Sequence, residues 1–263
     1  MKKKPTKSLP LVSVITPLYN AEAFIGDTLS SVRNQTYSNW EHIIVDDAST
    51  DGSVEIVREL AKTDPRIRLV TLPGNEGAAY CRKHATELAS GDFIAFLDSD
   101  DLWHPEKLQL QLSFMDQHSC DVSYTSYVHM DENGKPLGKR IKALPKLSYG
   151  KQRSNNYIGN LTGIYSAATL GKIFAPAIRK RQDWAVWLEA IEKSGQPALG
   201  LAKDLAYYRV RGGSISSNKL GLVKYNFQFY RIFLGYSWPK SVFFLLRFFW
   251  EYFMVRPRQI DRY

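Results

Sequence analysis

Two groups of acidic residues, each directly after a short apolar run, are the strongest chemical signal in the sequence. Asp46-Asp47 follow the run at residues 42–45, and Asp98-Ser99-Asp100-Asp101 follow the run at residues 93–97. If the backbone stays extended past the second run, side-chain alternation sends the carboxylates of Asp98 and Asp100 to the same side. Two such carboxylates bind Mg²⁺ or Mn²⁺ and leave coordination positions for diphosphate oxygens. The alternative is a solvated turn that caps the next helix.

These acids need a scaffold, and residues 11–115 repeat the pattern of a parallel sheet with crossover helices. Each repeat is a β-branched run, a turn and an amphipathic helix. The predicted strands cover residues 12–15, 42–45, 67–70 and 93–97. Three helices are predicted from apolar stripes, which are Ile25, Leu29 and Val32; Ala78, Cys81, Ala85 and Leu88; and Leu108, Leu112 and Met115. Pro105 is the predicted first residue of the third helix. Ligands of such sheets bind beyond the carboxyl ends of the strands, where both acidic groups lie.

The turn after the first strand, Thr16-Pro17-Leu18-Tyr19-Asn20, contains no glycine. A dinucleotide-binding fold would have a glycine-rich turn there, and the phosphate-binding pattern GxxxxGK(S/T) does not occur in the chain. Tyr19 offers a flat ring for stacking on a base, and a carboxylate of Asp46-Asp47 can accept a hydrogen bond from its edge. Asp51 or Ser53 is expected to cap the helix that follows.

Beyond residue 120 the alternation of strands and helices is less regular. A strand is expected over residues 121–130, with a turn at 131–134, and residues 135–160 are expected to form a polar loop. Residues 207–218, around Gly212-Gly213, are predicted to be a mobile loop. A helix is predicted after Arg181, with one apolar face formed by Trp184, Trp187, Leu188 and Ile191.

Residues 241–255 are almost wholly apolar and aromatic, interrupted by Arg247 and Glu251. The segment is shorter than the ~20 apolar residues that a spanning helix needs. Lys240, Arg247 and Glu251 are predicted to share one helical face, and arginines follow at 256, 258 and 262. We interpret the segment as an interfacial membrane helix, with aromatic rings at the acyl boundary and cations near anionic headgroups. The alternative is a terminal helix packed on the core or on a second subunit.

The composition indicates a globular protein with anionic partners. The 263 residues, 44% of them hydrophobic and 23% charged, suit one α/β core with a smaller appendage, and the net charge is +9. Cys81 and Cys120 form no zinc-binding pattern, which favours a reducing compartment. Lysines before the apolar residues 9–18 imitate a secretion signal, but Pro10, Pro17 and a strand-like alternation argue against one.

In order along the chain, these motifs closely resemble family 2 glycosyltransferases, especially bacterial enzymes that build surface polysaccharides. The matching segments are residues 12–20, Gln35-Thr36-Tyr37, residues 44–51, Asn75-Glu76-Gly77 and residues 96–101. The resemblance covers roughly residues 1–115. It implies an α/β protein with the GT-A fold, in which a mostly parallel, Rossmann-like central sheet is flanked by helices, and here a helical C-terminal extension follows.

The resemblance also implies roles for the residues that follow the first two strands. Pro17 and Tyr19 would line the nucleobase pocket. Asp46 and Asp47 would lie at the nucleotide, with Asp47 on the edge of a uracil. Gly77 would lie where the chain passes close to the nucleotide.

Further roles are implied for acids later in the chain. Asp98 and Asp100 would serve the ribose and a diphosphate that is bound through Mn²⁺ or Mg²⁺. The family places its catalytic base in an acid pair before a tryptophan-rich helix, and Gln182-Asp183-Trp184 is similar to that pair, so Asp183 is the expected base. The alternative for Asp183 is a helix-terminal acid paired with Arg179, Lys180 or Arg181. The QxxRW signature of processive synthases is absent, which favours a single transfer.

The implied function is the inverting transfer of one sugar from a nucleotide-sugar, expected to be a UDP-sugar, to a hydroxyl of a lipid-linked saccharide. The product would be O-antigen, capsule or exopolysaccharide, made at the cytoplasmic face of the inner membrane. The expected parts are a basic tail (1–10), a catalytic domain (11–218) with a nucleotide-binding half (11–118) and an acceptor half (119–218), and an extension (219–263). The alternative is a non-catalytic module that binds nucleotide-sugars or glycans. Nucleic acid is not an expected partner, because the basic residues are scattered or terminal.

Overall fold

Four parallel strands form the centre of the computed structural model, which describes residues 9–178, 180–212 and 219–263. They are β1 (Val12–Leu18), β2 (Trp40–Asp46), β3 (Ile67–Thr71) and β4 (Phe93–Phe96), in the spatial order β4, β1, β2, β3. Their crossovers contain α1 (Glu22–Arg33), α2 (Ser53–Thr63) and α3 (Ala78–Leu88). The four predicted strands and the helices of the first two stripes are confirmed, although β1 continues three residues further than predicted.

Apolar side chains cover both faces of this parallel sheet. On one face, Ile15 and Ile43 belong to a buried cluster that includes Cys81 of α3. On the other face, Ile44 belongs to a second buried cluster that includes Leu29 of α1. Strands that are buried on both faces have nearly continuous apolar sequences, which is why they could be recognised.

The second half of the chain extends the sheet with mostly antiparallel strands. β9 (Ile164–Ser166) pairs antiparallel with β4 and with β6 (Val122–Met130). β7 (Pro136–Ile141) also pairs antiparallel with β6, whereas β10 (Ala198–Arg209) runs parallel to β6. The strand predicted at residues 121–130 and the helix predicted after Arg181 are confirmed as β6 and α7. The elements are β5 (Leu102–Trp103), α4 (Lys107–His118), β6 (Val122–Met130), β7 (Pro136–Ile141), β8 (Lys146–Leu147), α5 (Tyr149–Ser154), β9 (Ile164–Ser166), α6 (Ala167–Leu170), α7 (Gln182–Ser194) and β10 (Ala198–Arg209).

The prediction of a polar loop at residues 135–160 is wrong, because β7, β8 and α5 lie within it. Most β7 side chains are partly or fully exposed near the edge of the sheet, so no apolar alternation marks that strand. The loop predicted at residues 207–218 begins too early, since residues 207–209 continue β10, and residues 213–218 lie outside the described part of the chain. The third predicted helix begins at Lys107, two residues after Pro105.

The C-terminal segment packs on α7 and then returns to the sheet. Trp184 of α7 stacks on Phe229, with the ring centroids 4.0 Å apart. The last strand, β11, pairs antiparallel with β7. The elements of the segment are α8 (Lys219–Gln228), a π-helical turn (Phe229–Phe233), α9 (Trp238–Trp250), a second π-helical turn (Glu251–Val255), a 3-10 turn (Arg256–Gln259) and β11 (Ile260–Arg262).

The charged residues around α9 do not share one face as predicted. Glu251 is buried, where it accepts hydrogen bonds from Lys151 Nζ at 2.8 Å and from the Tyr157 hydroxyl at 2.5 Å. Arg247 is exposed. The carboxylate turns inward because a cation and a phenol satisfy it there. Within the described residues, no helix is long and apolar enough to cross a membrane.

His42 makes the stability of the sheet depend on pH. The residue lies in β2 with no exposed surface, and its ring shares a hydrogen bond of 2.8 Å with Thr16 Oγ1. Burial lowers its pKa from 6.5 to about 3. The unfolded chain therefore binds a proton on this ring more readily than the folded chain does. We expect the free energy of unfolding to fall as the pH decreases from about 6.5 toward 3, by up to about 1.4 kcal/mol per pH unit from this ring.

Urea unfolding of the full chain between pH 6.5 and pH 5 measures this loss, because that interval lies between the two pKa values of the ring. The His42→Gln variant should lose less stability than the parent over the same interval. His118→Gln, at an exposed position on α4, is the matched control and should follow the parent. An equal pH dependence in the parent and in His42→Gln would contradict the prediction.

Candidate active site

The carboxyl end of β2 forms one wall of the site. Asp46, the last residue of β2, and Asp47 are almost fully buried. Asp46 accepts a hydrogen bond from the Ser49 amide at 3.2 Å, and Asp47 accepts from the amides of Glu76 and Gly77 at 2.7 and 2.9 Å. The two carboxylates therefore hold the loop after β2 and the loop before α3. A carboxylate has about four lone-pair sites, so Asp47 keeps capacity for a donor on the edge of a base.

Uncommon backbone conformations occur at the same end of the sheet. Asn20 and Ala48 have φ angles of 44° and 60°, in the left-handed region that residues with side chains rarely adopt. Such conformations persist where surrounding contacts enforce them, and they concentrate at functional sites. Asn20 Oδ1 accepts a hydrogen bond from the Thr50 amide at 2.8 Å, which ties the loop after β1 to the loop after β2. Tyr19, next to Asn20, is 51% exposed, so its ring is accessible for stacking.

The backbone explains the residue types at Pro17 and Gly77. Pro17 is buried in β1 and has no amide hydrogen to donate. Because β4 pairs with β1 only as far as Ile15, no hydrogen bond between these two strands is lost at Pro17. Gly77 has a φ of 90°, which favours glycine, and no described atom lies within 4 Å of the position that a Cβ would take. The five predicted nucleotide-binding residues before β4 thus follow or end β1 and β2, or lie in the loop that Asp47 holds.

The acidic motif after β4 is a turn, so the expected extended geometry is wrong. β4 ends at Phe96, and the Asp101 amide donates to the Asp98 carbonyl at 3.1 Å. The turn nevertheless keeps the acids close. Burial raises the pKa of Asp100, and the neighbouring Asp98 carboxylate raises it further. Burial also raises the pKa of Asp101 well above its usual range, and Asp100 and Asp98 add to that effect.

Basic and amide side chains hold the acidic turn in place. Asp98 accepts hydrogen bonds from Arg82 Nη2 at 2.6 Å and from Asn160 Nδ2 at 3.1 Å. Asp100 forms an ion pair with Arg211 at 2.7 Å. These contacts compensate part of the negative charge that the turn gathers.

Arg209, which ends β10, supports the turn through its backbone and its side chain. The buried residue donates its amide hydrogen to Asp101 Oδ1 at 2.9 Å, and its Nε donates to the Asp100 carbonyl at 2.8 Å. The guanidinium groups of Arg209 and Arg211 both lie over the Phe24 ring, 5.0 and 5.2 Å from its centroid. The end of β10 is therefore part of the site.

The residues of the acidic turn are chemically suited to bind a divalent cation, with the remaining coordination positions filled by a bound ligand or water. Among the described residues, no group of three or more His, Cys, Asp and Glu side chains is placed to hold a metal ion. Asp98 and Asp100 supply two hard oxygen ligands, and a cation would relieve the repulsion that helps to raise the pKa of Asp100. Mg²⁺ favours octahedral coordination, so water or phosphate oxygens must provide the remaining ligands.

The start of α7 brings Asp183 to the same site. Arg181, with a φ of 71°, precedes α7, and Asp183 lies in its first turn. Asp183 Oδ2 accepts a hydrogen bond from Asn156 Nδ2 at 2.7 Å. Arg82 connects this helix to the acidic turn, because its Nη1 donates to Gln182 Oε1 at 3.0 Å while its Nη2 binds the turn.

Arg181, one of the cations considered as an alternative partner of Asp183, makes its hydrogen bond elsewhere. Its Nε donates to Asn226 Oδ1 at 2.7 Å, and its guanidinium lies 6.0 Å from the Trp184 ring centroid. Arg179, another of these cations, lies outside the described residues.

Arg82, like Asn156 and Asn160, is a site residue that the sequence did not lead us to predict. Burial lowers the pKa of its guanidinium, but the charges of Asp98 and Asp183 outweigh burial and raise the pKa above its usual value. The sequence contains a weak signal for this residue. Arg82 lies four residues after Ala78, so a cation shares a helical face with a stripe that is otherwise small and apolar.

A family model described as "Glycosyl transferase family 2" matches residues 13–175, which is more than half of the chain. The chain is a family 2 glycosyltransferase. The match includes the acids at the ends of β2 and β4, whereas Asp183 lies beyond it.

Relatives of this family 2 glycosyltransferase match it over most of its length. It is 47% identical over 222 residues to TuaG of Bacillus subtilis (strain 168), a glycosyltransferase assigned to teichuronic acid biosynthesis, covering 84% of this chain and 88% of TuaG. It is 39% identical over 214 residues to WfgD of Escherichia coli, covering 81% of this chain and 83% of WfgD. WfgD is named UDP-Glc:alpha-D-GlcNAc-diphosphoundecaprenol beta-1,3-glucosyltransferase.

Solved structures of glycosyltransferases share the fold of this family 2 glycosyltransferase. Staphylococcus aureus TarS in complex with UDP-GlcNAc superposes with a TM-score of 0.72 at 24% identity, covering 94% of this chain and 74% of that chain. The mannosyltransferase PcManGT of Pyrobaculum calidifontis, in complex with GDP-Man and Mn²⁺, gives a TM-score of 0.65 at 19% identity, covering 98% and 75%. The expected α/β GT-A fold is confirmed.

The bridge formed by Arg82 gives a testable prediction. In Arg82→Lys, a single ammonium group replaces the guanidinium group, whose two terminal nitrogens bind Asp98 and Gln182 at the same time. The positive charge is therefore kept, but the bridge between these two residues is lost. We expect a loss of about tenfold or more in kcat/KM for the glycosyltransferase. Lys83→Arg changes the exposed neighbour on α3 and is the control, with activity close to the parent. Parent-like kcat/KM in Arg82→Lys would show that the bridge is not needed.

Proposed function

We propose that this family 2 glycosyltransferase transfers a single sugar from a UDP-sugar to a hydroxyl of an undecaprenyl-diphosphate-linked saccharide, with inversion and with the help of a divalent cation. The observation that carries the proposal is the network through Arg82. Arg82 Nη2 lies 2.6 Å from Asp98 Oδ1 in the acidic turn, and Arg82 Nη1 lies 3.0 Å from Oε1 of Gln182, the neighbour of Asp183. A donor held at the turn would thus lie beside the acid that activates the acceptor.

Several residues support a nucleotide at this end of the sheet. The exposed ring of Tyr19 offers a stacking face, and Pro17, Asp46 and Asp47 lie at the ends of the adjacent strands. Gly77 lets the chain pass close to a ligand beside Asp47. Uracil is the proposed base because WfgD is named for UDP-Glc and TarS was solved with UDP-GlcNAc.

Asp98 and Asp100 are the proposed ligands of Mn²⁺ or Mg²⁺. Carboxylate oxygens suit both ions, and PcManGT, which shares the fold, was solved with Mn²⁺. When bound there, the cation offsets negative charge on the departing diphosphate. Arg211 and Arg82 would hold the two carboxylates in position and add positive charge around the leaving group.

Asp183 is the proposed general base. Its hydrogen bond from Asn156 fixes the orientation of the carboxylate, and the first turn of α7 fixes its place. The carboxylate removes the proton of the acceptor hydroxyl while the hydroxyl oxygen attacks the anomeric carbon. The bond to the diphosphate breaks in the same displacement, so the configuration at that carbon inverts.

A lipid-linked acceptor is proposed from the named relatives. TuaG is assigned to teichuronic acid biosynthesis, and the name of WfgD gives a saccharide on diphosphoundecaprenol as its acceptor. An acceptor of this kind is anchored in a bilayer, so the enzyme would work at the cytoplasmic face of the inner membrane. The division of the chain at residues 10, 118 and 218 into tail, nucleotide half, acceptor half and extension stays part of the proposal.

Asp183→Asn tests the assignment of the base. The amide can keep the contact with Asn156 but cannot accept a proton, so we expect turnover to fall at least about a hundredfold while UDP-sugar affinity persists. A screen of UDP-, GDP- and dTDP-sugars for hydrolysis in Mn²⁺ or Mg²⁺ first identifies the donor. Turnover is then measured with that donor, and affinity is measured by calorimetry.

Asp116→Asn, at an exposed position of α4, is the control for Asp183→Asn and should keep parental turnover. Near-normal turnover in Asp183→Asn would remove this residue from the role of base. A parent protein that binds donors but neither hydrolyses nor transfers the sugar would instead be the non-catalytic module.

Asp100→Ala tests the role of the cation. Removing one of two carboxylate ligands should abolish the increase in UDP affinity that Mn²⁺ causes in the parent, as calorimetry measures with and without the metal. The electron paramagnetic resonance signal of free Mn²⁺ gives a second readout that does not depend on activity. Asp116→Ala is the control. Unchanged metal-dependent UDP binding in Asp100→Ala would contradict the assignment.

A further inference from the structure

Two stripes of side chains run along α9 and the π-helical turn after it, on opposite faces. The buried stripe consists of Ser241, Phe244, Phe248 and Glu251. The outer stripe follows two residues later with the same spacing and consists of Phe243, Leu246, Trp250 and Phe253. At about 100° per residue, an offset of two residues places the stripes roughly 200° apart. Because the buried stripe fixes the orientation of the helix, the outer stripe must face away from the core.

The outer stripe is large and apolar. Its four side chains are between 58% and 64% exposed. Trp238, at the start of α9, and Met254, in the π-helical turn after α9, are exposed as well. Contiguous apolar surface of this kind is uncommon on soluble monomers and marks sites of protein or membrane interaction.

The segment that carries the outer stripe is strongly cationic. Residues 219–263 contain eight lysines and arginines and two acidic residues, so this segment contributes +6 to the chain's net charge of +9. Both acids form ion pairs with lysines outside the segment, Glu251 with Lys151 at 2.8 Å and Asp261 with Lys142 at 2.9 Å. The partner of this surface should therefore be both apolar and anionic.

This combination favours a lipid bilayer over a second copy of the chain. A two-fold dimer through the outer stripe would bring two segments of charge +6 together, and their repulsion would oppose association. At a bilayer, aromatic and aliphatic side chains enter the acyl boundary while cations remain near anionic headgroups. Arg247 is exposed next to Leu246, where a long side chain can reach the headgroups.

The same segment is packed against the helix that carries the proposed base. Trp184 stacks on Phe229 and contacts Phe248 of the buried stripe, with ring centroids 5.8 Å apart. Asn226 accepts the hydrogen bond from Arg181, two residues before Asp183. The buried stripe and the start of α7 therefore belong to one packed unit.

We propose that the outer stripe docks on an anionic phospholipid bilayer, with Phe243, Leu246, Trp250 and Phe253 in the acyl boundary. Docking would hold the start of α7 at a fixed distance from the membrane that anchors the acceptor. The use of this surface in catalysis rests on the proposed lipid-linked acceptor, whereas binding to the bilayer does not.

Vesicle flotation with the full chain tests the docking surface. One set of vesicles is phosphatidylcholine alone, and the other is an equal mixture of phosphatidylcholine and phosphatidylglycerol. We expect the parent to float with the mixed vesicles and to bind phosphatidylcholine much more weakly. In the double variant Leu246→Ser/Phe253→Ser, partitioning onto mixed vesicles should fall at least about tenfold, because two apolar side chains leave the acyl boundary.

A matched control separates the outer stripe from exposed apolar residues in general. Leu137→Ser/Phe174→Ser changes the same residue types at positions that are 49% and 41% exposed, and it should partition as the parent does. Arg247→Gln should weaken binding to mixed vesicles only, with a smaller difference from the parent at high salt. Donor hydrolysis in solution should be unchanged in all these variants, which shows that they fold.

Three outcomes would overturn the proposal. The parent could fail to float with the mixed vesicles, or both double variants could lose binding equally. The third is a parent that sediments as a dimer which only Leu246→Ser/Phe253→Ser dissociates, because the outer stripe would then contact a second copy. Failure of the proposed function is a separate result, since it would appear as loss of transfer and hydrolysis in the parent while vesicle binding persists.

Discussion

A single guanidinium group lies between the acidic turn after β4 and the start of α7, which carries the proposed base. Arg82 donates hydrogen bonds to Asp98 on one side and to Gln182 on the other. The negative charges of Asp98 and Asp183 compensate its buried positive charge. The helix that carries Arg82 begins at Ala78, directly after Gly77, in the loop that Asp47 holds through two backbone amides. The position of the proposed base therefore depends on the loops that line the proposed nucleotide pocket, and neither half of the site is positioned alone.

The fold supplies these residues from distant parts of the chain. The parallel strands place their carboxyl ends at one edge, which is where open α/β sheets bind ligands. The antiparallel strands then bring the second half back beside β4, so that Asn160 reaches Asp98 and Asn156 reaches Asp183. Arg209 arrives at the end of β10, more than a hundred residues after the acids whose turn it supports. Contacts of 2.6 to 2.7 Å then hold the carboxylates of Asp98, Asp100 and Asp183 in place.

The sequence allowed the first half of the fold to be predicted well, because strands buried on both faces have continuous apolar runs and their helices have regular stripes. Residues 135–160 could not be predicted in the same way, since the side chains of β7 are mostly exposed or half-buried near an edge of the sheet. The acids were found because they follow recognisable strands. Arg82 and Asn156 were missed because their roles come from tertiary contacts, and the spacing of Arg82 in its helix is only a weak signal for such a contact. Glu251 faces inward for the same reason, since its partner Lys151 lies a hundred residues earlier.

The left-handed residue before α7 has a consequence for how the enzyme matures. Arg181, with a φ of 71°, adopts a conformation that costs about 1–3 kcal/mol and persists only where neighbouring contacts offset that cost. Asn226 accepts a hydrogen bond from Arg181, and Phe229 and Phe248 pack on Trp184 in the first turn of α7. All three residues are synthesised after Asp183. Domains begin to fold while synthesis continues, from the amino end onward. The proposed nucleotide pocket can therefore form early, whereas the proposed acceptor side reaches its final geometry only after residues 226–248 have been synthesised.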